Sequence, residues 1–388
     1  LRWLLGAPAL AVVLEWVRSW AFSGFPWLSP GYSQIDGPLG GLAPLGGVFA
    51  VGWGVWLSAG LLCMVLGQGA RNRWLALAGL VVLWGSAWVL KGVDWTHPEG
   101  PPLAVSLIQG NIAQDDKFQP ENLEQTLSLY ARLSVQEQDR DLIVWPETAI
   151  PLFVRDVEEP FLGPLAERAR QTDTDYLIGA PDGDWEQGVF YNGVVAIGGE
   201  RGFYRKQRLL PFGEYLPLRW LFGFFHELVQ IPMADFTPGS VDQPLLRVQG
   251  LPVGVSICFE AVFGHEIIRA LPQARLLVNV SNDAWFGDSL APHQHLEIAR
   301  MRALETGRAM ARATNTGISA LVDHRGRITD RSQMFEIQVL RGEVQPRVGM
   351  TPYAVLGDWP VVGTALGLLL IGLIVAGGQI RWYQSKSP

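Results

Sequence analysis

Three short stretches of this 388-residue chain each carry an apolar run to a side chain able to do chemistry. Leu142, Ile143, Val144 and Trp145 run into Pro146 and then Glu147. Proline stops a sheet ladder, so Glu147 is left at a strand end, where a carboxylate can serve as a general base. Tyr204 to Glu214 holds Lys206 near apolar residues, a place from which an ammonium can hold a reacting carbonyl as cation or donor. Val253 to Ile257 alternates as a strand does, then delivers Cys258, followed by Phe259 and Glu260. A thiol at a strand-to-helix elbow is presented as a nucleophile, provided a base takes its proton and a donor receives the oxyanion. Taken singly, each has a plainer reading that outweighs the chemical one: Glu147 as a turn acid, Lys206 in a solvated basic strand, Cys258 as a small buried hydrophobe.

Other reactive groups are few. Cys63 sits inside an apolar run and Cys258 in the polar part of the chain, so a disulfide between them is not expected. His293 and His295 are two apart at a helix start and point in different directions; a structural or solvated role is expected and no metal. Gly198-Gly199 lacks a phosphate-binding spacing, so no nucleotide and no cofactor is expected. The net charge of −7 gives no reason to expect nucleic acid.

Charged residues make up 17% of the chain, and there are 16 Trp, a mixture that suits membrane spans with aromatic anchors. Ala43 to Leu66, Trp74 to Leu90 and Trp359 to Ile380 are free of charge and close to the roughly 20 residues that cross a bilayer. Leu4 to Phe22 is a weaker span, because it carries Glu15 and Arg18, which would share one helix face. Arg71 and Arg73 in one loop, and Arg381 and Lys386 in the tail, are expected on the cytoplasmic side. The loop from Ser23 to Gly41 has no Lys or Arg and faces outward, which puts residues 91–357 on the outer side.

Those residues have an ordinary globular composition and alternate strand-like and helix-like pieces, as α/β layers do. Strands are expected at Leu103–Gln109, Asp141–Trp145, Asp175–Gly179, Asn192–Ile197, Leu251–Cys258, Leu276–Val280 and Gly317–Val322. Helices are expected at Pro120–Gln138, Pro160–Thr172, Gly264–Leu271 and Pro292–Ala311. The expected domains are membrane helices over 1–92, a catalytic domain over 93–356, and a final span with its tail over 357–388. Leu216 to Met233 is aromatic-rich, with Trp220 and Phe224, and reads as a lid or arm that touches lipid, with a core helix as the plainer alternative.

Together the three stretches resemble the nitrilase superfamily: W-P-E-T around Glu147, R-K-x-x-L-x-P-F-G-E from Arg205 to Glu214, and S-I-C-F-E around Cys258. With membrane spans on both sides, the chain resembles the membrane-embedded apolipoprotein N-acyltransferase family. Ile108-Gln109-Gly110-Asn111, Asn282-Asp283-Ala284-Trp285-Phe286-Gly287 and Arg300 to Arg308 fit the same family, and the resemblance covers essentially the whole chain. It implies an α/β fold, a nitrilase-like αββα sandwich inserted between transmembrane α-helices. It implies Glu147 as general base, Lys206 as oxyanion-stabilising lysine and Cys258 as nucleophile, with Glu214 and Glu260 supporting. It implies transfer of an acyl chain from phospholipid to the amine of diacylglyceryl-cysteine apolipoproteins through a Cys thioester, at a bacterial inner membrane with the catalytic domain periplasmic. A monomer is expected. Phe118 stands where the family has Trp and Phe259 where it has Tyr; both, with Trp220 and Phe224, are expected to contact substrate. The family carries further spans before this point, so a truncation before Leu1 is expected. The rival readings are a membrane-tethered amidase that hydrolyses a small amide, and a non-catalytic membrane scaffold.

Overall fold

A computed structural model describes residues 2–67, 69–184, 186–216 and 236–384. The chain divides into two compact units: one runs to Trp95 and adds Leu304–Gly307 and the chain from Met350, and the other holds Thr96–Ala303 and Arg308–Gly349.

The first unit contains the helices Arg2–Arg18, Ala43–Gly67, Ala70–Lys91 and Trp359–Gln384. Three segments are long and apolar enough to cross a membrane: Pro38–Gly67, Arg71–Lys91 and Trp359–Ala376. The helix Arg2–Arg18 stops short of Phe22, and its two charges each find a partner outside the helix. Glu15 accepts from Ser29 Oγ at 2.6 Å and from Trp56 Nε1 at 3.0 Å, while Arg18 donates to the Phe25 carbonyl at 2.7 Å. A carboxylate among apolar helices takes the nearest donors, and here these come from a loop and a neighbouring helix.

The second unit is an αββα sandwich. Among the described residues its strands are β1 (Thr96–Pro98), β2 (Leu103–Gln109), β3 (Leu142–Trp145), β4 (Asp175–Asp184), β5 (Val189–Ile197), β6 (Gly202–Arg205), β7 (Leu246–Val248), β8 (Leu251–Ile257), β9 (Leu276–Ser281), β10 (Met310–Thr314), β11 (Ala320–Val322), β12 (Ile328–Arg331), β13 (Gln338–Val344) and β14 (Arg347–Gly349). One six-stranded sheet has the order β13-β2-β3-β4-β5-β6 and the other β12-β11-β10-β9-β8-β7; β1 pairs with β14. In each sheet three central strands run parallel, β2-β3-β4 in one and β8-β9-β10 in the other. Parallel strands are covered on both faces, which explains their nearly unbroken apolar runs. Between the sheets, Leu107, Val144, Leu177 and Val194 meet Val253, Ile257, Val278 and Ala311. On the outer face of the first sheet, Ile143, Trp145 and Ile178 pack with Tyr130, Val157 and Leu162 from the covering helices. On the second, Leu277, Met310 and Ala320 pack with Leu296, Ala299 and Ala303.

The expected helix Pro292–Ala311 is shorter: it spans Ala291–Thr306, and Met310 opens β10 instead. Gly307, at φ 63°, ends it, because a left-handed residue breaks the helical run. Gly264–Leu271 is likewise a single helical turn, Gly264–Ile267, followed by 3-10 structure.

Candidate active site

The C-terminal ends of two parallel strands, β3 and β8, deliver Glu147 and Cys258, and the antiparallel edge strand β6 delivers Lys206. β3 ends at Trp145, paired with Ile178, and Pro146 turns the chain so that Glu147 leaves the sheet. Thr148 completes the turn at φ 49°. The turn lies against Gly179 of β4, where an added Cβ would meet the Pro146 carbonyl and come within 2.8 Å of Glu147 Cα. Only glycine leaves room for this approach.

Glu147 is buried and held on both oxygens. Oε1 accepts from Asn192 Nδ2 at 2.8 Å and from Lys206 Nζ at 3.3 Å, and Oε2 accepts from the Asn282 main-chain N–H at 2.9 Å. Burial works to raise its pKa, but Lys206, Asn192 and Lys117 outweigh it and hold the carboxyl below the ordinary value.

Lys206 follows directly on β6 and is 2% exposed. Its ammonium lies 2.8 Å from Glu214, whose Oε2 also receives the Leu210 N–H at 2.8 Å. The P-F-G-E segment forms a tight turn with Phe212 at φ 62°. Burial opposes the charge on Lys206, yet Glu147 and Glu214 raise its pKa well above the ordinary value. Asn192, on β5, donates to both Glu147 and Glu214 at 2.8 Å. The sequence reading missed it; a lone amide in an otherwise apolar strand is the signal that was available.

Cys258 takes φ 51° at the elbow after β8, and it keeps partial solvent access. Such backbone strain in a residue other than glycine concentrates at functional sites. Burial and the Glu147 charge push its thiol far up, while Lys206 and Ser281 pull it down. The resting sulfur is therefore a thiol within the electrostatic reach of a base and a cation.

Glu260 binds the elbow to the Lys206 loop. Its carboxylate accepts from Ile257 N at 2.7 Å, Gln207 N at 2.6 Å, Arg208 N at 3.1 Å and Tyr204 Oη at 3.0 Å. Burial pushes its pKa up to about 7 against the pull of Lys206 and these main-chain donors.

A second polar group lies on the other side of Cys258. His295 is fully buried; its Nε2 donates to the Cys258 carbonyl at 3.1 Å, and Nδ1 lies 3.0 Å from Asp283. Asp283 also receives Ser281 Oγ at 2.9 Å and Arg312 at 3.0 Å. Ligand atoms of Cys258, Asp283 and His295 lie within 4.8 Å of one another, a spacing a metal ion could use. The ring nitrogens of His295 and the oxygens of Asp283 already have hydrogen-bond partners, however, and the Arg312 guanidinium beside Asp283 would repel a cation. The group fits a hydrogen-bonded brace better than a metal site.

The expected substrate contacts fall in different places. Phe118 is 39% exposed, whereas Phe259 is 3% exposed and packs edge-on against Phe263 at 5.1 Å. Trp220 and Phe224 lie outside the described residues.

Residues 104–353 match the carbon-nitrogen hydrolase family, and residues 1–61 match the apolipoprotein N-acyltransferase N-terminal domain. The apolipoprotein N-acyltransferase of Methylococcus capsulatus is 50% identical over 369 residues, which cover 95% of this chain and 73% of that protein. That of Nitrosomonas europaea is 45% identical over 381 residues, 97% of this chain and 75% of that protein. Among solved structures, Nit3 of Saccharomyces cerevisiae, a nitrilase-superfamily member, aligns with 63% of this chain and 90% of its own at 19% identity and a TM-score of 0.47. By its carbon-nitrogen hydrolase core and its near full-length kinship with these acyltransferases, the chain belongs to the apolipoprotein N-acyltransferase family.

Proposed function

We propose that this acyltransferase moves an acyl chain from a phospholipid to the N-terminal amine of diacylglyceryl-cysteine apolipoproteins, through a thioester on Cys258. The observation that carries the reading is the buried pair of Glu147 and Lys206, whose charges act on the Cys258 thiol, with Glu214 holding the Lys206 ammonium from its other side.

Glu147 takes the thiol proton, and the sulfur pair attacks the ester carbonyl. The carbonyl π pair moves to oxygen and is held by the Lys206 ammonium; removing one such donor typically costs about 3–4 kcal/mol. The C–O bond then breaks, Glu147 returns its proton to the leaving alcohol, and a lysophospholipid departs. In the second half, the apolipoprotein amine attacks the thioester carbonyl and gives a proton to Glu147. The C–S bond breaks, the sulfur is reprotonated, and an N-acylated lipoprotein leaves. Two half-reactions sharing one thioester give ping-pong kinetics.

The two substrates carry acyl chains, and each CH₂ moved into water costs about 0.8 kcal/mol, so the membrane helices suit the chemistry. Arg71 and Arg73, in the first turn of the helix Ala70–Lys91, support a cytoplasmic position for that helix end and a periplasmic catalytic unit at the inner membrane. Labelling an Asp242→Cys variant in intact spheroplasts with an impermeant thiol reagent tests this; protection of that site until lysis would reverse the orientation.

The decisive experiment incubates the purified chain with phospholipid alone and reads the Cys258 peptide by mass spectrometry. A gain of one acyl chain is expected, lost in Cys258→Ala. Rapid release of free fatty acid with no transfer to an added lipopeptide would favour the amidase-like, hydrolytic alternative.

A further inference from the structure

Lys117 is a charged group of the site that the mechanism above does not use. It is 3% exposed, and its Nζ donates to the main-chain carbonyl of Glu147 at 3.0 Å. Among the described residues it makes no salt bridge, whereas Lys206 lies against two carboxylates. A tight turn aims it inward: the Lys117 N–H bonds to the Ala113 carbonyl at 3.1 Å, while the next residue, Phe118, is exposed.

Burying an ammonium without a contacting carboxylate is expensive. A methionine would fill similar space without that cost, so packing alone does not account for the lysine. The charges that act favourably on Lys117 are Glu147 first and Cys258 second. Lys117 in turn helps hold the Glu147 carboxyl low. The same side chain thus grips the turn that carries the base and supplies positive charge to its carboxylate.

We propose that Lys117 is a positioning residue for acyl transfer, fixing the Glu147 turn through its carbonyl and keeping the Glu147 carboxylate in its proton-accepting form. Lys206 does this from one side, but its ammonium is shared with Glu214; Lys117 adds charge that no other carboxylate claims by contact. Burial pushes Lys117 itself down to about 8, so it stays mostly protonated over the acid range in which Glu147 titrates.

The inference rests on Glu147 and Cys258 as base and nucleophile. The test follows the rate at which phosphatidylethanolamine in detergent micelles acylates Cys258, from acid to neutral pH, in the full chain. Lys117→Gln, which keeps a donor but no charge, is expected to move the acid limb upward by about one pH unit, making acylation about tenfold slower below the limb. Lys117→Arg, which keeps the charge, is expected to leave the limb where it is. A glutamine variant whose profile superimposes on that of the unaltered chain overturns the inference. Should the glutamine variant fail to fold, Lys117→Met, which fills similar space without charge, decides in its place: a limb moved upward supports the inference, and an unmoved limb overturns it. No adduct on Cys258 in the unaltered chain overturns both the nucleophile assignment and this inference, whereas a normal adduct indifferent to Lys117 overturns this inference only.

Discussion

Two charge clusters flank Cys258, one built on each sheet; each carboxylate meets three partners, and the clusters differ in how closely a cation is paired with it. Beside the first sheet, Glu147 shares Oε1 between an amide and a lysine at 3.3 Å, and that lysine has a closer partner, Glu214, at 2.8 Å. In the second, Asp283 is tied by Ser281, His295 and Arg312 at 2.9 to 3.0 Å. Burial alone would raise the Asp283 carboxyl, but Arg312 and His295 hold it far below the ordinary range. Similar chemical groups in similar burial therefore suit two tasks. The cation nearest Glu147 stands 3.3 Å away and is shared with Glu214, which leaves its charge less fully claimed; Asp283 is paired with Arg312 at 3.0 Å and braces the Cys258 main chain through His295.

The comparison breaks first if Glu147 turns out to be structural. Glu147→Gln is expected to slow Cys258 acylation by about 10²–10⁴-fold, the usual worth of a general base, with a small change in thermal unfolding. Next, Asp283→Asn should do the reverse in emphasis. Removing one partner of a buried pair costs about 3–5 kcal/mol, read as a fall in unfolding temperature of the detergent-solubilised chain. An Asp283→Asn chain as stable as the original would erase the distinction. A smaller effect is expected from Glu260→Gln, because an amide NH₂ would face main-chain N–H groups; the loss should be about 1–3 kcal/mol in stability. The pH dependence sharpens the contrast further. Asp283 has a depressed folded pKa, so its contribution to stability is present above its unfolded value, about 3.9, and is lost as pH falls through the folded one. Thermal melts carried from pH 5 down to about pH 2 should show this acid loss, and Asp283→Asn should flatten it.

Much of the sandwich was readable because its central strands are unbroken apolar runs that end in chemistry. β2 was legible at both ends, and β3 and β8 each within one residue, with Pro146 and Cys258 as stops. β10 was hidden for a physical reason. Met310 and Ala311 also fall at helical spacing after Ala299 and Ala303, and periodicity cannot show that Gly307 turns left-handed between them. Glu147 and Cys258 stood out as strand ends, whereas Lys206 follows a strand, β6, that was not expected; only the resemblance of the three motifs joined them. Lys117 could not be picked out: it lies in a polar loop, and only the fold brings it to the Glu147 carbonyl. A structural or solvated role is what the sequence suggests for His295, and it is buried; its bond to the Cys258 carbonyl joins residues 37 apart in sequence and has no local signature.

Gly179 bears no functional group, yet it decides where one stands. Any side chain at that position would collide with the Pro146 carbonyl and shove Glu147 aside. In a saturation library selected for acylation, the row for 179 should be as empty as the row for 147. A search restricted to reactive atoms would pass over it, because what this residue supplies to catalysis is vacant space.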